Sequence, residues 1–112
     1  MPNQTILSKT YELLKYCTPL LGQLPRSYKF TYGDRVQNLL FTLLEVLLEA
    51  FYSPPPQKRA ILHKANLTLE KLRYLVRLGF DLKLFNPQAY QTLAAQLNEI
   101  GRMVGGWLKS LE

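Results

Sequence analysis

The chain has 112 residues, of which 47% are hydrophobic, and carries 14 Lys or Arg against 8 Asp or Glu, a net charge of +6. This length fits a single domain, residues 1–112, with a modest core. The basic balance favours a polyanion or an acidic partner surface as a binding partner. The single cysteine, Cys17, excludes an intrachain disulfide framework and fits a reducing compartment.

No targeting or membrane segment is predicted. The N-terminus MPNQTILSK lacks the basic and then apolar order of a signal peptide. The most apolar run, 39–52, is interrupted by Glu45 and Glu49 and is shorter than the ~20 residues that span a bilayer. We therefore expect a cytoplasmic protein. Peripheral membrane attachment through a basic amphipathic helix is a weaker alternative, because the bundle core uses most of the apolar surface.

The first half of the chain predicts two helices. The first covers residues 3–22, and Pro19 must bend or end it because proline lacks an amide hydrogen. A basic, aromatic connector follows, and Thr31 with Asp34 three residues later resembles a capping box that starts a helix over 32–52. That second helix is apolar around more than half of its circumference, which predicts a central position or a subunit contact.

The second half predicts two longer helices. Prolines 54–56 break the chain, and the third helix runs over 56–83. Asn86 as the cap and Pro87 at the first helical position start the fourth helix, 87–111. Four long helices with short connections and no strand signal predict an all-α fold, an antiparallel up-down four-helix bundle.

The third helix carries most of the positive charge: residues 58–83 hold seven Lys or Arg against Glu70 and Asp81, a net of +5. Its apolar positions recur at 3, 4 spacing and predict a core face: Leu62, Ala65, Leu69, Leu72, Val76 and Gly79. A polar row with the same spacing is expected opposite that face: Arg59, His63, Asn66, Glu70, Arg73 and Arg77. Between the rows, Leu67, Tyr74 and Leu78 alternate with Lys64 and Lys71, which predicts a contact with a partner.

Three glycines interrupt the fourth helix, and each costs roughly 1 kcal/mol of helix propensity relative to alanine. One interpretation is close helix packing, with Gly101 and Gly105 one turn apart and Trp107 filling the space beside them. The alternative is a docking groove formed by Gly105, Gly106 and Trp107, in which bare backbone admits a partner and Trp107 anchors it.

No catalytic constellation is present in the sequence. There is one histidine, His63, and one cysteine, and there is neither a Cys-x-x-Cys pair nor a Glu-x-x-His pair of the kind that builds di-iron sites. No glycine-rich phosphate loop follows a strand. We therefore expect no enzyme activity, no cofactor and no metal site, and we expect a function in binding.

Three segments, 24–35 (LPRSYKFTYGDR), 66–78 (NLTLEKLRYLVRL) and 99–109 (EIGRMVGGWLK), together resemble the accessory variability determinant (Avd) proteins of diversity-generating retroelements. These belong with four-helix-bundle proteins related to ribosomal-RNA intervening-sequence products. Gly79, where alanine is expected, and Tyr32, where leucine is commoner, depart from the pattern. The resemblance implies a cytoplasmic, barrel-like homopentamer that binds a reverse transcriptase and its template RNA and supports mutagenic cDNA synthesis as a non-catalytic subunit.

The residues expected to make these contacts form two basic patches. Arg73 and Arg77, one turn apart, can present two guanidinium groups to phosphates or carboxylates. The patch on the third helix also includes Arg59, Lys64 and Lys71, and a second patch contains Arg26, Lys29 and Arg35. Tyr28 and Phe30 are available to stack on bases, although packing over the bundle end is the more typical role. A bundle that serves another pathway without a polymerase partner is the alternative function.

Overall fold

A computed structural model describes the backbone of residues 2–112 and the side chains of residues 5–112. This part of the chain contains no strand and four long helices: α1 (Pro2–Gly22), α2 (Asp34–Tyr52), α3 (Pro55–Asp81) and α4 (Pro87–Ser110). The prediction of an all-α protein with four helices is confirmed.

The four helices pack as a closed square, in which each helix contacts the next along the chain and α1 contacts α4. The helices α2 and α3 are antiparallel. Lys58, near the start of α3, contacts Ala50 near the end of α2, whereas Leu75, near the end of α3, contacts Tyr32 just before the start of α2. Lys9 of α1 and Glu99 of α4 form an ion pair of 3.3 Å that closes the square. The fold measures 43 × 23 × 19 Å, so that α3, at 27 residues and ~1.5 Å per residue, spans its whole length.

The core lies along the bundle axis and is built from the predicted helix faces. All six residues of the predicted α3 core row are buried. In α4 the buried positions are Ala89, Leu93, Leu97, Ile100, Val104 and Trp107, whereas Tyr90, Ala94, Gly101 and Leu108 are half-buried. Apolar burial of this kind stabilises a helix bundle by roughly 25 cal/mol per Å² of covered surface.

The start of the second helix differs from the prediction. Pro25 caps a helical turn over Arg26–Tyr28, and a π-helical turn over Lys29–Gly33 then continues directly into α2. We call Arg26–Gly33 the lead-in segment. Thr31 lies inside it and caps nothing, so the capping-box prediction is wrong. Pro25 starts the helix earlier than Thr31, since its carbonyl accepts hydrogen bonds from the amides of Tyr28 and Lys29 at 2.9 and 3.0 Å.

Other helix ends follow standard capping chemistry. Pro19 does not end α1, which continues through its final turn to Gly22. The α3 helix ends in a Schellman motif: Leu84 N donates to Gly79 O and Lys83 N donates to Phe80 O, with Lys83 at φ 62°. The predicted Asn86 cap is confirmed, because its side chain accepts a 2.7 Å hydrogen bond from Ala89 N.

Tyr32 and Gly79 contact each other in the fold. The Tyr32 hydroxyl donates a hydrogen bond to the carbonyl of Leu75 on α3. A Cβ atom at Gly79 would overlap both this hydroxyl and the ring of Phe85. Glycine at position 79 therefore makes room on α3 for a tyrosine from the lead-in segment.

We expect Gly79→Ala to lower the free energy of unfolding by about 1–3 kcal/mol, because the added methyl group overpacks this contact. The double variant Tyr32→Phe/Gly79→Ala should lose less than the sum of the single variants, by at least about 0.5 kcal/mol, since removing the hydroxyl vacates the space. Urea unfolding of all four proteins measures the coupling. Strict additivity would show that the two residues do not share this space.

We expect the stability of the fold to fall at high pH, because of the buried Cys17 thiol and the half-buried Tyr32 hydroxyl. Burial raises the pKa of Cys17 from 9.0 to about 12, and burial also raises the pKa of Tyr32 above its ordinary 10.0. Between pH 9 and 12 the unfolded chain loses the Cys17 proton while the folded chain keeps it. The folded state then binds more protons, so that the free energy of unfolding decreases by roughly 1.4 kcal/mol per pH unit for Cys17, and by less for Tyr32, because solvent screens the half-buried phenol.

Urea unfolding between pH 7 and 11 measures this decrease. Cys17→Ala lowers stability at every pH by leaving a cavity, but it should delay the onset of the alkaline loss from about pH 9 to about pH 10, where Tyr32 of the unfolded chain begins to lose its proton while folded Tyr32 keeps it. An unchanged onset in Cys17→Ala would contradict the assignment.

Candidate partner and nucleic-acid surfaces

The sequence predicted that the polar row of α3 lies opposite the core. In the structure the row lies instead on the flank of α3 that faces α4. Its members immediately follow core residues, as Arg73 follows Leu72 and Arg77 follows Val76, and one residue is about 100° around a helix. Residues two positions after a core residue are about 200° away. The outermost positions of α3 therefore hold the apolar side chains of Leu67, Tyr74 and Leu78 together with Lys64 and Lys71.

Arg73 is partly enclosed in the cleft between α3 and α4. One guanidinium nitrogen pairs with Glu70, another lies where a Cβ of Gly101 would stand, and Nε is buried without a hydrogen-bond partner in the described part of the chain. Its side chain is 33% exposed. The prediction that Arg73 points outward is therefore wrong, since Gly101 lets the guanidinium lie flat against α4.

Arg77 is the outward-facing member of the predicted pair. Its side chain is 69% exposed, and Nε lies 4.0 Å from a carboxylate oxygen of Asp81, at the limit of an ion pair. Such exposed pairs contribute little to stability and leave the guanidinium available to a partner. Arg59, on the same flank, is exposed and makes no ion pair with any described residue. Arg77 and Arg59 therefore form an accessible cationic edge of α3.

The groove between α2 and α3 joins residues of the two predicted patches. Arg35 of α2 lines it together with Lys71 and Tyr74 of α3, and the side chain of Tyr74 is 71% exposed. Lys64 is exposed on α3 and also makes no described ion pair. Sequence spacing cannot show this meeting, because 36 positions separate Arg35 from Lys71 and only the pairing of α2 with α3 brings them together.

The lead-in segment exposes an aromatic ring among cations. Phe30 is 64% exposed, and Lys29 Nζ lies 5.8 Å from the centre of its ring. Arg26 is exposed as well, whereas Tyr28 is half-buried. The prediction that aromatic residues here pack over the bundle end is therefore wrong for Phe30, because the π-helical turn leaves its ring on the outside.

The predicted docking groove on α4 is not formed. Trp107 is only 8% exposed, and Lys58 Nζ lies 5.7 Å from the centre of its ring, so the tryptophan cannot anchor a partner. Gly105 and Gly106 are exposed, and a Cβ added at either would meet nothing within 4 Å. Close packing also fails to explain these two glycines. Of the three, only Gly101 has a neighbouring side chain, Arg73, that an added Cβ would displace.

Lys58 has a structural role that sequence reasoning missed. Its Nζ donates hydrogen bonds to the carbonyls of Ala50 and Phe51, at 2.8 and 3.1 Å, at the C-terminal end of α2. A lysine there satisfies exposed carbonyls and complements the negative end of the helix dipole. The available signal was its place just after the proline break, where α3 turns back along α2.

The electrostatics of the surface are dominated by unpaired cations. Within residues 5–112 only three ion pairs form, and just two of them, those of Arg73 and Arg77, involve a candidate residue. Among the described residues, no group of three or more His, Cys, Asp or Glu side chains is placed to hold a metal ion. No helix in that part of the chain combines the length and apolar character needed to cross a membrane.

Comparison with protein families matches residues 4–111 to a family described as bAvd-like. No curated protein matches the chain. The matched range contains all four long helices except the first residues of α1, and it includes both basic patches and the exposed apolar positions of α2 and α3.

The three glycines of α4 provide a prediction with internal controls. Gly105→Ala and Gly106→Ala should each raise the free energy of unfolding by about 0.5–1 kcal/mol, because a methyl group enters open space on a helix. Gly101→Ala should raise it less, since Arg73 must move away from Glu70. Thermal unfolding of the three variants measures the difference. Equal gains at all three positions would show that Arg73 does not rest on Gly101.

Proposed function

This chain belongs to the bAvd-like family, and from that premise we propose that it is a non-catalytic accessory subunit of a diversity-generating retroelement. In this role it assembles as a homopentamer and binds the cognate reverse transcriptase and the template RNA during mutagenic cDNA synthesis. The match over residues 4–111 carries the proposal, because it spans nearly the whole chain. Surface chemistry supports its separate parts.

Self-association is supported by the apolar side chains on the outer faces of α2 and α3. Six large ones are exposed there: Phe41, Leu48, Tyr52, Leu67, Tyr74 and Leu78. Monomeric soluble proteins seldom expose so many on adjacent elements, and such faces are typical of subunit contacts. The number five comes from the resemblance to Avd proteins and not from these faces.

Binding of RNA or of an acidic polymerase surface is supported by the unpaired cations. Arg59, Lys64 and Lys71 on α3, together with Arg26, Lys29 and Arg35 near the start of α2, have no carboxylate partner among the described residues. Cations without internal partners can neutralise phosphates and release condensed counterions without first breaking an ion pair. Guanidinium groups also pair with carboxylates in a bidentate manner.

The proposal is tested with the purified chain and the reverse transcriptase that a neighbouring gene encodes. Light scattering should give about five times the 13.0 kDa chain mass, and the polymerase should co-purify with the oligomer. Binding to template RNA should weaken steeply with salt. Arg59→Glu/Arg77→Glu should lower RNA affinity or polymerase capture at least about tenfold with the oligomer intact, because the cationic edge of α3 faces solvent.

Lys15→Glu is the matched control, since Lys15 is exposed on α1 and lies outside both patches. It reverses one charge where Arg59→Glu/Arg77→Glu reverses two, and it should leave binding near the wild-type level. Loss of the oligomer in Arg59→Glu/Arg77→Glu would place this edge in the subunit contact. Failure of the wild-type chain to bind either polymerase or RNA would favour a bundle that serves another pathway.

A further inference from the structure

We propose that Phe30 is a stacking platform for an unpaired base of single-stranded RNA, with the cations of the lead-in segment holding the adjoining phosphates. The inference rests on the proposed function and deepens it. It states that the bound RNA is single-stranded and names the side chain that distinguishes a single strand from a duplex. Phe30, Lys29 and Arg26 carry it.

The ring of Phe30 is held on a fixed base. Two residues further on, Tyr32 points inward and donates a hydrogen bond to Leu75 of α3. Gly33 is buried and lies close to the Leu24 side chain, so a Cβ there would stand 3.3 Å from a Leu24 methyl group. These contacts anchor the inner side of the π-helical turn while Phe30 remains exposed on the outer side. A ring whose backbone is already ordered loses little entropy on binding.

The charge around the ring suits a polyanion. Residues 26–35 hold three cations, Arg26, Lys29 and Arg35, against one acid, Asp34. No described carboxylate pairs with any of the three. Lys29 already lies within cation–π distance of the ring, so a phosphate next to a stacked base would be within reach of its flexible side chain.

An exposed aromatic ring among cations favours single-stranded RNA over duplex RNA or an apolar protein partner. In duplex RNA both faces of an internal base are covered by its neighbours, and proteins recognise the duplex through phosphates and 2′-hydroxyls. A single strand offers free base faces, and each stack contributes roughly 1–3 kcal/mol. An apolar protein partner would bury the surrounding cations without a counter-charge, which is costly.

The test compares a 12-nucleotide oligo(U) with a 12-base-pair RNA duplex by fluorescence anisotropy. Phe30→Leu keeps an apolar side chain and removes the aromatic face, so it should weaken oligo(U) binding at least about fivefold and change duplex binding less than twofold. Phe30→Tyr should bind oligo(U) like the wild type. Tyr11→Leu is the matched control, because Tyr11 is an exposed aromatic residue on α1, outside the lead-in segment and outside the apolar faces of α2 and α3.

Phe30→Trp adds a readout that a structural role would not move. Its emission, after subtraction of the buried Trp107, should be quenched by oligo(U) and not by the duplex. Wild-type affinity in Phe30→Leu, or an equal loss on both RNAs, would overturn the platform. If Phe30→Leu lost polymerase capture with RNA binding unchanged, the platform would also be overturned, because Phe30 would then contact the protein partner. Quenching by oligo(U) in a chain that captures no polymerase would support the platform and defeat the proposed function.

Discussion

The burial of one face of α3 between α2 and α4 is the constraint on which the surface depends. Leu62, Leu69 and Leu72 are completely buried, and each such side chain stabilises the fold by about 1.5–3 kcal/mol. Turning α3 by a single residue would expose this row and bury arginines. The helix therefore has one allowed rotation, which directs Arg73 toward α4, Lys71 toward α2, and Tyr74 straight outward.

The core could be predicted from sequence, but the direction of the polar row could not be predicted by spacing alone. Core burial repeats every 3.6 residues, so a 3, 4 spacing identifies Leu62 through Gly79 reliably. Equal spacing shows only that a polar row runs parallel to the core row. The angular offset between the two rows around the helix axis decides whether the polar row lies opposite the core or beside it. That offset is one residue for Arg73 and Arg77, which places them beside the core and gives Gly101 its contact.

The lead-in segment shows where local patterns give way to contacts between distant residues. Thr31 and Asp34 have the spacing of a capping box, and nothing within a few residues of them contradicts it. The contact that orders this segment joins Tyr32 to Leu75, 43 positions along the chain, through space left by Gly79. Nothing in the sequence near Tyr32 or Gly79 indicates this contact, and only the antiparallel packing of α2 on α3 shows that the glycine makes room for the tyrosine.

Apolar and cationic surfaces have different consequences for assembly. Covering Phe41, Leu48, Leu67 and Tyr74 would bring copies together, but each copy adds a net charge of +6. Five copies would carry +30, and the repulsion among them opposes association. Bound RNA neutralises this charge, and a ligand that binds the assembled form preferentially also stabilises it. In the proposed homopentamer, RNA binding and assembly are therefore coupled, because the apolar faces supply the attraction and the polyanion removes the repulsion.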